Sequence, residues 1–326
     1  MRLMRHLSFN SLCFRLPDGG EKCQYALTFA DGMLTLNVCS GTAREGRSMR
    51  NHITVFLLTA AVALAFGSIS QAGAGVQQYW ERAQQEDYKS PEELQAQHAR
   101  EVRKGQFYRE LMRGNPNAKS VALTFDDGPH PQFTPQILAI LKKYNVKATF
   151  FVVGKMAKQY PNLIKQEAAA GHVVGNHTYD HVNLTKIPLG DISIQWQKGN
   201  DVIKRILGQP PCFCRPPGGD YDRAVITAAS ANGLTTVLWT DDPGDYAKPG
   251  DRVIEERVLR RIDNGGIVLI HDGIQQTIDV LPQIIEHLQK RGFKFQTVAE
   301  MTQECAETIP ASKPKTPGSI PSLKIR

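Results

Sequence analysis

LTFDDGPH, residues 123–130, ends an apolar run on two adjacent carboxylates. SVALTF (120–125) reads as a buried strand, and Gly128-Pro129 turns the chain directly after Asp126 and Asp127. Like charges side by side at a strand end repel each other unless a cation or a shared proton relieves them. Two readings are open on this fragment. One is a solvated loop whose aspartate caps the next helix. The other is a site at the strand end where a cation or a shared proton relieves the pair.

Outward from this stretch, apolar runs alternate with amphipathic segments from Lys119 to Met301. The runs predict strands at 120–125, 147–153, 172–177, 213–215, 235–239, 266–271 and 294–298. Between them the periodicity predicts helices over 134–144, 156–170, 187–208, 222–232, 251–263 and 277–291. Strands separated by helices of this length imply α/β architecture, and about seven parallel strands suit a distorted (β/α) barrel better than a flat sheet. No internal repeat interrupts the pattern.

The flanks differ. Met49-Arg50-Asn51-His52, the apolar run 53–66 and Ala72-Gly73-Ala74 have the layout of a secretory signal peptide over residues 49–74. The run is short for a membrane span, although a single-span anchor is the alternative, and an uncleaved anchor is the one membrane association this reading allows. A signal beginning 48 residues in makes residues 1–48 an upstream extension and Met49 the expected start. The bulk of the chain is then expected outside the cytoplasm: secreted, periplasmic or associated with the cell wall. Residues 75–117 read as a helical lead-in or linker without a clear apolar face, 118–303 as the α/β domain and 304–326 as a disordered Pro/Ser/Lys-rich tail.

Composition excludes some functions. The 326 residues are 41% hydrophobic and 22% charged, ordinary for a globular enzyme. Net charge is +7, but residues 1–74 hold seven Lys and Arg against four Asp and Glu, and the remainder 32 against 28. That excess is too mild for nucleic acid, and no basic stripe interleaved with aromatics occurs. Beyond the leader stand Cys212, Cys214 and Cys305, compatible with one disulfide and one free thiol in an oxidising compartment.

The strand ends decide between the two readings of Asp126-Asp127. Strand three runs into HTYDH, with His177 and His181 four apart; strand four ends in Arg215-Pro216-Pro217-Gly218-Gly219. Strand five ends in Trp239 and TDDPGDY, strand six in His271-Asp272. Two histidines four apart can share a helical face by accident. With a carboxylate from another strand end they form a facial set for zinc or a similar divalent ion. One aspartate of the pair can then bind the cation while the other works as a base beside it.

In these stretches the chain resembles the NodB-homology polysaccharide deacetylases, carbohydrate esterase family four, over about residues 118–300. TFDDGP, HTYDH, RPPGG, the Trp239–Tyr246 segment and LIH occur in that family's order. The resemblance implies a distorted (β/α) barrel and a divalent metal, zinc first, with cobalt, nickel or manganese as alternatives. It implies metal ligation by Asp127, His177 and His181, and a general base in Asp126 balanced by Arg215. It also implies a general acid in His271 paired with Asp242, an oxyanion donor in the Gly218 N–H, and groove residues Pro217, Trp239 and Tyr246. Two positions depart from the family pattern: Gly218 stands where an aromatic residue is usual, and Tyr246 where a Trp is usual.

The implied activity is hydrolysis of N-acetyl groups on an acetylated amino-sugar polymer, with peptidoglycan favoured by export. Chitooligosaccharides or an exopolysaccharide are the enzymatic alternatives, together with O-acetyl ester hydrolysis on xylan. A catalytically inactive carbohydrate-binding protein is the alternative from another class, opposed by the completeness of the set.

Overall fold

The structure, a computed structural model, describes residues 12–13, 24–30, 33–39, 79–80 and 87–302. The chain divides into two compact units between Ala74 and Gly75. In the first, β1 (Leu12–Cys13), β2 (Gln24–Ala30) and β3 (Met33–Cys39) form an antiparallel sheet in the order β1-β2-β3. The expected signal segment and tail lie outside the described residues. Among the described residues, no helix is long and apolar enough to cross a membrane.

The second unit contains all seven expected strands: β5 (Ser120–Gly128), β6 (Thr149–Val152), β7 (Val173–Asn176), β8 (Phe213–Cys214), β9 (Thr235–Val237), β10 (Gly266–His271) and β11 (Lys294–Phe295). It adds β4 (Glu110–Leu111), which pairs with β9. The order β10-β5-β6-β7-β8-β9-β4 is parallel throughout, with β11 joined to the start of β5. Just past β9, Asp241 bridges Val268 of β10, so the sheet curls round as the (β/α) barrel requires.

The helices are α1 (Pro91–Arg103), α2 (Thr134–Lys143), α3 (Gly154–Gln159), α4 (Pro161–Ala169), α5 (Leu189–Leu207), α6 (Arg223–Ala231), α7 (Asp251–Arg261), α8 (Gln275–Lys290) and α9 (Val298–Thr302). The single helix expected over 156–170 is two, because Pro161 opens a new helix and has no N–H to continue the old one.

The helical lead-in is part of this unit. Ser90 and Glu93 form a reciprocal capping box at the start of α1. Pro91 and Leu94 are its buried face, Leu94 packing into the core with Phe151 and Trp196. Polar ties make up for so narrow an apolar stripe: Gln97 donates to the Tyr221 carbonyl, Tyr221 donates to Glu101, and His98 bonds Glu110.

Strand alternation explains where the chemistry points. Val121, Leu123 and Phe125 of β5, with Val268 and Ile270 of β10, pack on Ile137, Leu141, Val258 and Ile284 of the helices. The opposite row, Ala122, Ile267 and Leu269, joins Phe151, Phe213 and Trp239. Asp126 and His271 continue that second row and are register partners.

Candidate active site

A regular strand would send Asp126 and Asp127 to opposite faces. Here the β5–β6 register shifts between Phe125 and Gly128, and Asp127 takes the left-handed conformation with φ 71°. This bulge turns the second carboxylate back towards the first. Thr178 (φ 65°) and His181 (φ 55°) are also left-handed, so two of the three expected ligands sit on backbone that non-glycine residues rarely adopt. His177 and His181 are not on a helix. They flank a loop held by Thr178, whose hydroxyl accepts the His181 N–H, and by Gln195, whose side chain accepts the N–H groups of Tyr179 and Asp180.

The loop brings His181 Nε2 to 2.9 Å and His177 Nε2 to 3.5 Å from Asp127 Oδ1. One ligand atom from each residue falls within a 4.8 Å group. His177 Nδ1 lies 2.7 Å from the Arg215 carbonyl, which can only accept, so the proton is on Nδ1 and Nε2 presents its lone pair. Among the described residues, His177 Nε2 is buried without a hydrogen-bond partner, an arrangement that costs free energy unless something else fills it. Two imidazoles and a carboxylate converging in this way fit a divalent ion with open positions. Burial works to raise the Asp127 carboxyl, but His181, and then the contacts with both histidines, hold it well below the usual carboxylate range.

Asp126 is oriented from the other side. Arg215 donates to its Oδ1 at 2.8 Å, and Asp126 Oδ2 lies 3.8 Å from His177 Nε2. Arg215 has no exposed surface. It is fixed by bonds to Thr124 Oγ1 and to the Val237 and Leu238 carbonyls, with its guanidinium over the Phe151 ring. A buried cation held by that many acceptors is a stationary counter-charge for the carboxylate.

The expected partner of His271 is corrected. Asp245, not Asp242, receives the His271 Nδ1–H at 2.7 Å; it also accepts the His271 backbone N–H and the Thr277 hydroxyl. Asp242 folds back instead, accepting the Gly244 N–H. Pro243 and left-handed Gly244 (φ 71°) turn the chain between the two acids, carrying Asp245 inward. Burial opposes charge on His271, yet Asp245, then Asp127 and Asp126, push its pKa up to about 10. Burial also pushes the Asp242 carboxyl up to about 6. Among the described residues, His271 Nε2 is buried without a hydrogen-bond partner.

Gly218 has φ 63° and ψ 3°, and Gly219 has φ 69° with Trp239 so close that a Cβ would come within 2.5 Å of the ring. Pro217 and Trp239, expected to line the sugar-binding groove, are buried. Trp239 instead backs Gly219 and the Arg215 guanidinium. Tyr246 is half-buried, its ring centroid 5.4 Å from that of His271.

Sequence reasoning missed three neighbours of the site. Asp245 stood in the right segment, but spacing could not choose among its acids. Tyr79 donates to the Asp127 carbonyl and sets its ring edge-on to His181, and Tyr88 packs on His271. Both tyrosines come from the lead-in, where the aromatic cluster Tyr79, Trp80 and Tyr88 was the available signal. Cys212 is disulfide-bonded, while Cys214 is a buried free thiol whose pKa burial pushes up to about 12.

A family model described as polysaccharide deacetylase matches residues 113–237. The chain is 39% identical over 190 residues to a peptidoglycan-N-acetylglucosamine deacetylase of Bacillus cereus, covering 57% of this chain and 89% of that protein. It is 36% identical over 208 residues to a chitooligosaccharide deacetylase of Sinorhizobium fredii, covering 60% of this chain and 97% of that one. Its fold is similar to the crystal structure of the Bc1960 peptidoglycan N-acetylglucosamine deacetylase in complex with 4-naphthalen-1-yl-N-oxidanyl-benzamide. That likeness has a TM-score of 0.59 at 37% identity and covers 62% of this chain and 95% of the other.

Proposed function

Because the chain belongs to the polysaccharide deacetylase family, we propose that it hydrolyses N-acetyl groups from a GlcNAc-containing glycan, with peptidoglycan as substrate. The observation that carries this is the convergence of the buried Asp127, His177 and His181 ligand atoms beside the Arg215-held Asp126, with the Asp245-held His271 paired to Asp126 in the sheet.

Asp127, His177 and His181 would hold the metal, and zinc suits two imidazoles with one carboxylate. When bound, the ion polarises the acetyl carbonyl and lowers the pKa of water. Asp126, aimed by Arg215, takes a proton from the attacking water. The Gly218 N–H donates to the carbonyl oxygen as it gains charge. His271 delivers its Nε2 proton to the amide nitrogen as the C–N bond breaks, which spares the amine from leaving as a strongly basic anion. Acetate and a glucosamine unit result. Asp245 accepts the His271 Nδ1–H and stabilises the imidazolium, the form that also carries a proton on Nε2.

Residues 49–74 would export the chain to where peptidoglycan lies. Amino-terminal sequencing of the exported protein should then begin at Gly75.

The test is acetate release from peptidoglycan, chitooligosaccharides and acetylated xylan, with metal-stripped and zinc-loaded protein. Zinc-loaded protein should release acetate and expose free amines, most rapidly on peptidoglycan. No acetate from any of these glycans would overturn the deacetylase reading, and release from xylan alone would make the chain an ester hydrolase.

A further inference from the structure

We propose that Tyr88 is a positioning residue for His271, forming with Tyr246 an aromatic clamp on the imidazole. Tyr88 lies ahead of the residues matched to the family, 113–237. Its ring centroid is 4.9 Å from that of His271 in an edge-to-face contact and 4.2 Å from that of Tyr246. Tyr246 meets His271 at an interplanar angle of 84°.

His271 has an asymmetric hold. Asp245 fixes its Nδ1 and its backbone N–H, whereas among the described residues the Nε2 end has no hydrogen-bond partner. A ring hinged at one nitrogen can tilt about that bond, so packing against its sides must keep Nε2 aimed. Position 88 is itself fixed. The next residue, Lys89, donates its N–H to the Gly218 carbonyl at 2.9 Å and pairs with Asp220 at 3.2 Å, and Ser90 then caps α1. The segment thus ties the Gly218 loop to the proposed acid. Misplacing a reacting group by about 1 Å can cost ~10²-fold in rate.

The inference rests on the deacetylase reading, and the test uses the full zinc-loaded chain. We compare kcat and KM for Tyr88→Ala and Tyr88→Phe on an N-acetylated glycan and on 4-nitrophenyl acetate. The amide needs a proton on its leaving nitrogen, whereas nitrophenolate departs without one. Tyr88→Ala should lose about 10- to 100-fold in kcat on the glycan with KM within about twofold, and no more than about threefold on the ester. Tyr88→Phe keeps the ring and should match the parent on both. Equal losses on both substrates, a change confined to KM, or a gain on the glycan from uncovering the site would each overturn the clamp. If Tyr88→Ala loses its zinc or its cooperative melt, Tyr88→Leu, which keeps much of the volume, carries the same comparison. A parent inactive on every glycan would instead defeat the deacetylase reading itself.

Discussion

Replacing Asp245 by Asn separates the structure's account of the acid from the one the sequence suggests. His271 stands near pKa 10 against an ordinary 6.5, an interaction of ~5 kcal/mol in favour of the imidazolium. Burial works against that charge, and Asp245 leads the groups that overcome it, ahead of Asp127 and Asp126. A bound dication offsets the last two, so in the loaded enzyme Asp245 is the main source of the shift. Its neutralisation leaves burial unopposed, and the His271 pKa should drop below the ordinary value. The general acid must be protonated, so the rate falls as pH rises through that pKa. The basic limb of kcat/KM should therefore move from the alkaline side to below neutrality, with kcat at pH 7.5 down by about 10²–10⁴-fold. Asp242→Asn should change kcat by less than about threefold, because Asp242 bonds the Gly244 N–H and not the imidazole. The assay is acetate release from an N-acetylated glycan across pH 5–10, with bound zinc and thermal midpoint recorded for both variants. A shifted basic limb in Asp242→Asn with an unshifted one in Asp245→Asn would refute the assignment.

Three further outcomes are expected. Asp127→Asn should lose its divalent metal and activity together and recover partly in excess metal, whereas Asp126→Asn should keep the metal yet lose deacetylation; metal analysis of the purified variants reads both. Gly218→Ala should lower stability by about 1 kcal/mol or more, because its φ of 63° penalises a Cβ, and thermal or denaturant unfolding should show the loss. Glu167 has no exposed surface and both its oxygens are unpartnered, so burial, aided by Asp272, raises its pKa well above 4.5. The unfolded chain then releases this proton first, so the group lowers stability as pH rises from about 4.5 towards the folded pKa, by up to ~1.4 kcal/mol per pH unit. Glu167→Leu should flatten that slope and raise the thermal midpoint more at pH 8 than at pH 5; an equal gain at both would contradict it.

What could be read beforehand follows from the range of the interactions involved. The seven strands were visible because each is a local apolar run, and the strand-end residues because a parallel sheet delivers them to one rim. The choice of Asp245 over Asp242 was hidden, since it depends on how Pro243 and Gly244 turn the chain. Burial of Pro217 and Trp239 was hidden for a similar reason: the closeness of Gly219 to the Trp239 ring is a tertiary fact. Whether 75–117 packs on the domain or merely links to it was hidden, because its apolar stripe is only Pro91 and Leu94, and its remaining ties are polar contacts with distant residues such as Tyr221 and Gly218.

Asp126 and Asp127 show why the stretch that breaks the strand pattern carries the chemistry. A cation ligand and a base beside it must address the same small volume, and consecutive Cα atoms, about 3.8 Å apart, are the nearest two positions a chain offers. Period-two alternation forbids using both from a regular strand. The register shift and left-handed Asp127 lift that restriction, at a cost of roughly 1–3 kcal/mol for a non-glycine residue held there. Glycine at 127 would adopt this backbone freely, but it would supply no carboxylate. Strain at this position is therefore a requirement of the site, and relieving it without keeping the carboxylate would remove the chemistry along with the cost.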